Sequence, residues 1–200
     1  MGLDSRVRIF QIGFNKCATS SLHNFFQRNG LASVHWEEGR LAARVATRLK
    51  KGEDPFLDYP DTIAFTDMIM LSATLVLEPY KAFAEIYRWY PQSYFVLNTR
   101  HCRDWIESRV KHGFVPRYQV LYKLPDEAAV RRLWMQDWYT HHAKVLKFFA
   151  DKPQRLLVYD IDRDAPQQLA RFLEAHWQVD PALLGRDNQT PAVGRPGTVG

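Results

Sequence analysis

Cysteine is scarce in this chain: Cys17 and Cys102 are the only two among 200 residues. They lie far apart, without metal-ligand spacing, which excludes a disulfide framework and a cysteine-built metal site and makes a reducing compartment the expectation. Long apolar runs are missing as well. Charges interrupt every stretch, so no segment is expected to span a bilayer. The opening residues, MGLDSRVRIF, hold no long apolar region and no cleavage signal, and Arg6 stands where a myristoylation pattern prefers Ser or Thr. A cytoplasmic location is expected. Charge is not concentrated either: the formal net charge is +5, with the basic residues scattered. The densest group, Arg44, Arg48, Lys50 and Lys51, reads as a solvated helix face rather than the stripe of a nucleic-acid binder. A mild positive bias would still favour entry of a polyanionic ligand.

What the chain does have is apolar material: 46% hydrophobic residues, with 14% aromatic, suits one domain over residues 1–200 with a full core. Short apolar runs alternate with longer segments of helical period, the pattern of a three-layer α/β domain around a mostly parallel sheet of about five strands. Strands are expected at residues 7–12, 32–36, 62–66, 94–98 and 155–159. Helices are expected from near Ser20 to Asn29-Gly30, then over 39–50, 80–90, 103–111 and 126–149, with a last one capped by Asp164 and opened by Pro166. The stretch 112–125 shows no clear period and is open between a lid and a packed surface loop. The final dozen residues are expected to be loosely held. No repeat and no linker divides the chain.

The first βα turn is the most informative segment. It runs IFQIGFNKCATSSLHNFF: a strand, a tight loop and a helix start. Amides at such a start, together with the helix dipole, make an anion site. Thr19, Ser20 and Ser21 add hydroxyls and Lys16 adds a full charge. Helix capping alone needs one hydroxyl; three beside a lysine exceed it. Against the nucleotide-hydrolase loop G-x-x-x-x-G-K-S/T, Ala18 and Thr19 hold the second glycine and lysine positions, and the lysine has moved upstream to Lys16. The segment Gly13-Phe14-Asn15-Lys16-Cys17-Ala18-Thr19-Ser20-Ser21-Leu22 instead resembles the 5′-phosphosulfate loop of the sulfotransferases that use 3′-phosphoadenosine 5′-phosphosulfate (PAPS), of form G-x-x-K-C/S/A-G/A-T-S/T-S/T-L, with Ala18 in place of the commoner glycine.

A second site accompanies it. FVLNTRHCRDWIESR is a buried strand ending at Arg100, followed by a helix with Ser108 eight positions on. This is similar to the 3′-phosphate motif of the same family, whose Arg suits phosphate because its planar fork binds bidentately. Nearby Trp105 reads as core. The whole pattern resembles the compact bacterial-type members over residues 8 to about 174. The resemblance implies a P-loop-like domain that moves a sulfuryl group from PAPS to a hydroxyl or amine of a small-molecule or glycan acceptor. It releases 3′,5′-ADP and requires no metal. The implied donor-binding residues are Gly13, Asn15, Lys16, Cys17, Ala18, Thr19, Ser20, Ser21, Arg100 and Ser108, with Lys16 also catalytic. A base for the acceptor is expected from Asp67, Glu37 or His35, in that order of preference, all at strand ends. GRDNQTP, late in the chain, is similar to a terminal segment that touches the donor in some relatives.

Two other readings stay open. A P-loop kinase using ATP and magnesium draws on Leu156–Asp160, an apolar strand ending in an acid. A non-catalytic nucleotide-binding relative would keep the fold without turnover. The sequence carries no code for the acceptor or the oligomeric state.

Overall fold

The computed structural model describes residues 7–72, 74–185 and 187; most of GRDNQTP therefore lies outside the described residues. Five strands form one parallel sheet: β1 (Ile9–Gln11), β2 (Ser33–His35), β3 (Ala64–Thr66), β6 (Tyr94–Thr99) and β7 (Leu156–Asp160), in the order β2-β3-β1-β6-β7. Between β3 and β6 lies a small antiparallel hairpin, β4 (Met70–Leu71) with β5 (Val76–Leu77). β1 and β6 are buried on both faces, as strands inside a covered parallel sheet must be.

Alternation along those strands feeds two cores. Ile9, Tyr94 and Val96 point to one side, where they meet Leu22, Phe25 and Phe26 of α1 (Thr19–Arg28) and Leu169 and Leu173 of α7 (Pro166–Leu173). Phe10, Phe95 and Leu97 point to the other, against α2 (Arg40–Lys51), α3 (Phe83–Trp89), α4 (Cys102–Lys111) and α6 (Glu127–Phe149). The result is three layers. β1 sends its connection over one face while β3 and β6 send theirs over the other, so a crevice opens at the C-terminal ends of these strands.

The helices begin where the chemistry permits. Asp126 caps α6 by accepting from the Ala129 amide at 2.7 Å. Asp164 does not cap α7: Ala165 holds that position, and the Asp164 carboxylate accepts instead from the Asp160 amide, at 2.7 Å, bracing the turn after β7. The stretch 112–125 is not a plain loop but carries α5 (Val115–Tyr122). Pro116 in the first turn presets its backbone, and only Val115 and Tyr118 face the core, a stripe too short to register as a period. The segment 80–90 begins as a 3₁₀ turn, Pro79–Ala82, before α3. Two of the four basic residues on α2 pair with acids locally: Arg48 bonds Asp58 at 2.6 and 2.9 Å and Glu53 at 3.1 Å, and Arg44 lies 3.5 Å from Glu37 while bonding Tyr59 at 3.0 Å. Among the described residues no helix is long and apolar enough to cross a membrane.

Candidate functional site

The loop after β1 is fixed by donors that take its carbonyls inward. Gln11 Nε2 donates to Gly13 O and to Asn98 Oδ1, both at 2.6 Å. Asn98 Nδ2 in turn donates to Cys17 O at 2.6 Å and Phe14 O at 3.3 Å. Trp105 Nε1 donates to Asn15 O at 3.0 Å, and His141 Nε2 lies 2.7 Å from Ile12 O. Trp105 is thus core, but core that holds the loop. Arg109 donates to Asn15 Oδ1 at 2.9 Å from within a cage of Trp105, Phe114, Tyr118 and Trp134, whose ring centres lie 4.6–5.3 Å from its guanidinium carbon. Lys16 and Ala18 take left-handed backbone, with φ of 62° and 57°, the kind of alternation that gathers successive amides into an anion-binding concavity. The first bond of α1 runs from Leu22 N to Ala18 O, so the amides of Thr19, Ser20 and Ser21 belong to the helix start, the end whose dipole favours an anion.

Gly13 sits where no side chain fits: a Cβ there would lie 2.1 Å from Asn98 O. Gly13→Ala is therefore expected to destabilise the fold by about 3 kcal/mol or more, measured by chemical denaturation. An unchanged midpoint would mean that the loop does not need this approach.

One cleft of about 1160 Å³ runs along the C-terminal edge of the sheet. Asn15, Lys16, Ala18, Thr19, Ser20 and Ser21 line it, together with Arg100 and Ser108. The two anion-type sites expected from the sequence thus open into the same space. Gly13 and Cys17 are not on its wall. Gly13 lies against Asn98, and Cys17 is buried behind the loop, its thiol pushed up to about 12 by burial, with Arg100 and Arg109 pulling the other way. Arg100 Nη2 pairs with Asp162 at 3.2 Å, and both residues border the cleft. Ser21 Oγ accepts from the Asp187 amide at 3.0 Å, so the chain's late segment crosses the helix start.

The order of strands sets the order of groups along the cleft. His35 ends β2 and Trp36 follows it, Asp67 follows β3, the loop follows β1, Arg100 follows β6, and Asp162 follows β7. Asp67 is the most perturbed acid here. Its side chain is only 16% exposed, and burial raises its pKa from 3.8 to about 6 despite Lys16, Arg109 and the Thr19 hydroxyl, all of which favour the anion. Its backbone is left-handed at φ 54°, and its amide donates to Gln11 Oε1 at 2.7 Å. Gln11 thereby ties the loop to Asp67.

His35 stands beside it, with Nε2 3.9 Å from Asp67 Oδ2 and Nδ1 2.9 Å from Thr66 Oγ1. Burial, aided by the stacked His23, lowers its pKa to about 4, so it is neutral at pH 7 and a weak base. Glu37 is not brought to the cleft. Its carboxylate accepts from the Tyr59 hydroxyl at 2.6 Å and lies 3.5 Å from Arg44, because the chain turns away after Trp36. Lys16 Nζ lies 3.3 Å from His112 Nδ1. Burial lowers the lysine's pKa, partly offset by Asp67. Burial also lowers that of His112, with Lys16 and Arg117 adding to the effect.

Several of these residues escape sequence reasoning. Gln11 and Asn98 leave one trace, a polar side chain inside an otherwise apolar strand. His112 leaves none, since α4 must first end there. Among the described residues no group of three or more His, Cys, Asp or Glu side chains is placed to share a metal ion.

Comparison with curated proteins gives no match. A comparison with protein families gives one, to the family described as "Sulfotransferase domain", over residues 8–134. That span holds the loop, the Asp67 turn and the Arg100–Ser108 pair, and it exceeds half of the chain: this chain belongs to the sulfotransferase domain family.

Proposed function

We propose that the protein transfers a sulfuryl group from PAPS to an acceptor hydroxyl or amine, with Asp67 as the base. The observation that carries this reading is the single cleft that joins the Lys16 loop, Asp67 and the Arg100–Ser108 pair in strand order. The donor set fits a nucleotide with a phosphate at each end of its ribose. Amides, three hydroxyls and an ammonium surround one end, and a guanidinium with a serine serves the other. Bound PAPS would supply the sulfur electrophile: the acceptor oxygen or nitrogen forms its bond to sulfur as the bond from sulfur to the 5′-phosphate oxygen breaks, that oxygen keeping the electron pair as 3′,5′-ADP leaves.

The chain's own groups divide the remaining work. Lys16 and the loop amides neutralise the charge that grows on the 5′-phosphate. Asp67, ionised above pH 6 and backed by neutral His35, takes the acceptor's proton. Arg100 and Ser108 hold the 3′-phosphate, for which Asp162 must release Arg100.

The test is incubation with PAPS and a broad acceptor panel, following release of 3′,5′-ADP. Stabilisation of the protein by 3′,5′-ADP without metal supports the reading, whereas stabilisation by ATP only with magnesium favours a kinase. The kinase reading gains nothing from Asp160, whose carboxylate accepts from the Asp162 amide at 3.0 Å within its own turn. Arg100→Ala is expected to weaken 3′,5′-ADP binding by roughly 10- to 100-fold, the worth of charge-assisted hydrogen bonds, with the fold unchanged. Calorimetric titration measures it, and an unaltered dissociation constant would remove Arg100 from the clamp.

A further inference from the structure

Trp36 is the large apolar side chain that the fold leaves uncovered inside the cleft: it is 45% exposed and lines the wall beyond Asp67. Among the described residues no aromatic ring stacks on it. Its backbone is unusual for a bulky residue, with φ 51° and ψ −53°. Glu37, Glu38 and Gly39 follow at φ 50°, 56° and 86°, so four successive residues hold positive φ. Each non-glycine residue there costs of order 1–3 kcal/mol and persists only where its surroundings hold it.

They do hold it. Trp36 N donates to Thr66 O at 3.2 Å, and Gly39 N donates to Trp36 O at 2.9 Å. Tyr59 anchors the Glu37 carboxylate. Gly39 packs so closely on Met70 that a Cβ would stand 3.0 Å from its Cγ. The strain serves no burial of the indole. It fixes the ring at the cleft, at the edge-strand end, with Asp67 and the loop between it and Arg100.

Other apolar side chains stand near it on the same lining. The segment that carries Asp67 continues into Ile69 and Leu71, its turn closed by Ile69 N donating to Asp67 O at 2.7 Å. Phe114 faces the same space, braced by the His112 ring at 4.7 Å. Of the polar groups nearby, His112 is engaged with Lys16 and His35 with Thr66, and the Arg117 guanidinium lies 3.5 Å from Leu71 O. A carbohydrate asks for a partner at most of its hydroxyls, and burying them unpaired is costly. A flat apolar ring asks for faces to lie on and one polar contact, which Asp67 provides to its hydroxyl.

We propose that Trp36, Ile69, Leu71 and Phe114 form the acceptor subsite, and that it takes a phenol or aryl alcohol, not a carbohydrate. This rests on the sulfuryl-transfer reading and deepens it by naming the acceptor class. The acceptor's oxygen receives the sulfuryl group as described above, and its proton passes to the Asp67 carboxylate.

The experiment uses the full chain with saturating PAPS, 2-naphthol as the phenol and a methyl glycoside as the carbohydrate. It compares wild type, Trp36→Ala and Trp36→Phe, with 3′,5′-ADP affinity measured on each. Sulfation of 2-naphthol is expected. In Trp36→Ala its KM should rise about tenfold, the size of one lost aromatic stacking face, while kcat falls far less and 3′,5′-ADP affinity holds. Trp36→Phe should recover most of the loss. Sulfation of the glycoside alone, or an unchanged KM in Trp36→Ala, would overturn the subsite while leaving the transfer reading intact. Failure of wild type to bind 3′,5′-ADP would instead bring down the transfer reading, and the subsite with it.

Discussion

Asp67→Asn is expected to lose nearly all turnover and yet unfold later than wild type at pH 8. The first half follows from its proposed role: removing a positioned base costs about 10²- to 10⁴-fold in rate. The second follows from burial. The carboxyl titrates at about 6 in the fold against an ordinary 3.8, so the folded state holds its proton more tightly than the unfolded chain. The stability that this proton contributes is complete below about pH 4 and is lost as pH rises through 6. Two units of difference amount to about 3 kcal/mol, which the neutral amide would restore above pH 7 and which would vanish near pH 4. Denaturation curves at both pH values, beside the rate, check the pair of effects. A variant less stable than wild type at pH 8 would mean that the Asp67 anion is welcome in the fold. For wild type the same value predicts a rate that falls as pH drops through 6, where the base takes up its proton.

Lys16→Met, which keeps most of the stem and removes the charge, is expected to lower kcat by about a thousandfold, in line with deleting an electrostatic stabiliser of a leaving oxyanion. It should leave a second mark. The Lys16 ammonium is the largest of the influences that hold the Asp67 pKa down against burial. Without it, the acid limb of the residual activity should move above pH 6. A purely structural role for Lys16 would reduce activity at every pH alike. A full pH profile on a concentrated sample separates the two, and near-normal turnover would take Lys16 out of the mechanism.

The placement of groups that lie along one stretch of chain is legible in the sequence itself. The loop from Gly13 to Leu22 and the Arg100–Ser108 spacing each sit at a strand-to-helix turn, so local order places their groups. Asp67 was readable for the same reason, as the acid just beyond a buried strand. Glu37 was not, because its direction depends on positive φ at three residues that are not glycine, a conformation imposed by Thr66, Tyr59 and Met70 from elsewhere in the chain. Gln11 and Asn98 reach one another across paired strands, which only the register reveals. α5 and the β4–β5 hairpin were too short for periodicity to mark them. The five parallel strands followed from the alternation of apolar runs and helices, but their order did not.

The caged Arg109 has a consequence for how the protein responds to its medium. Mobile counter-ions crowd around exposed basic side chains and mask them as salt is added, but they have no room among four aromatic rings. The positive potential beneath the loop therefore has a part set by the interior, which salt dims little, and a part set by Lys16 and the rim, which salt dims more. An anion seated there would keep more of the first than of the second as dilute buffer gives way to brine.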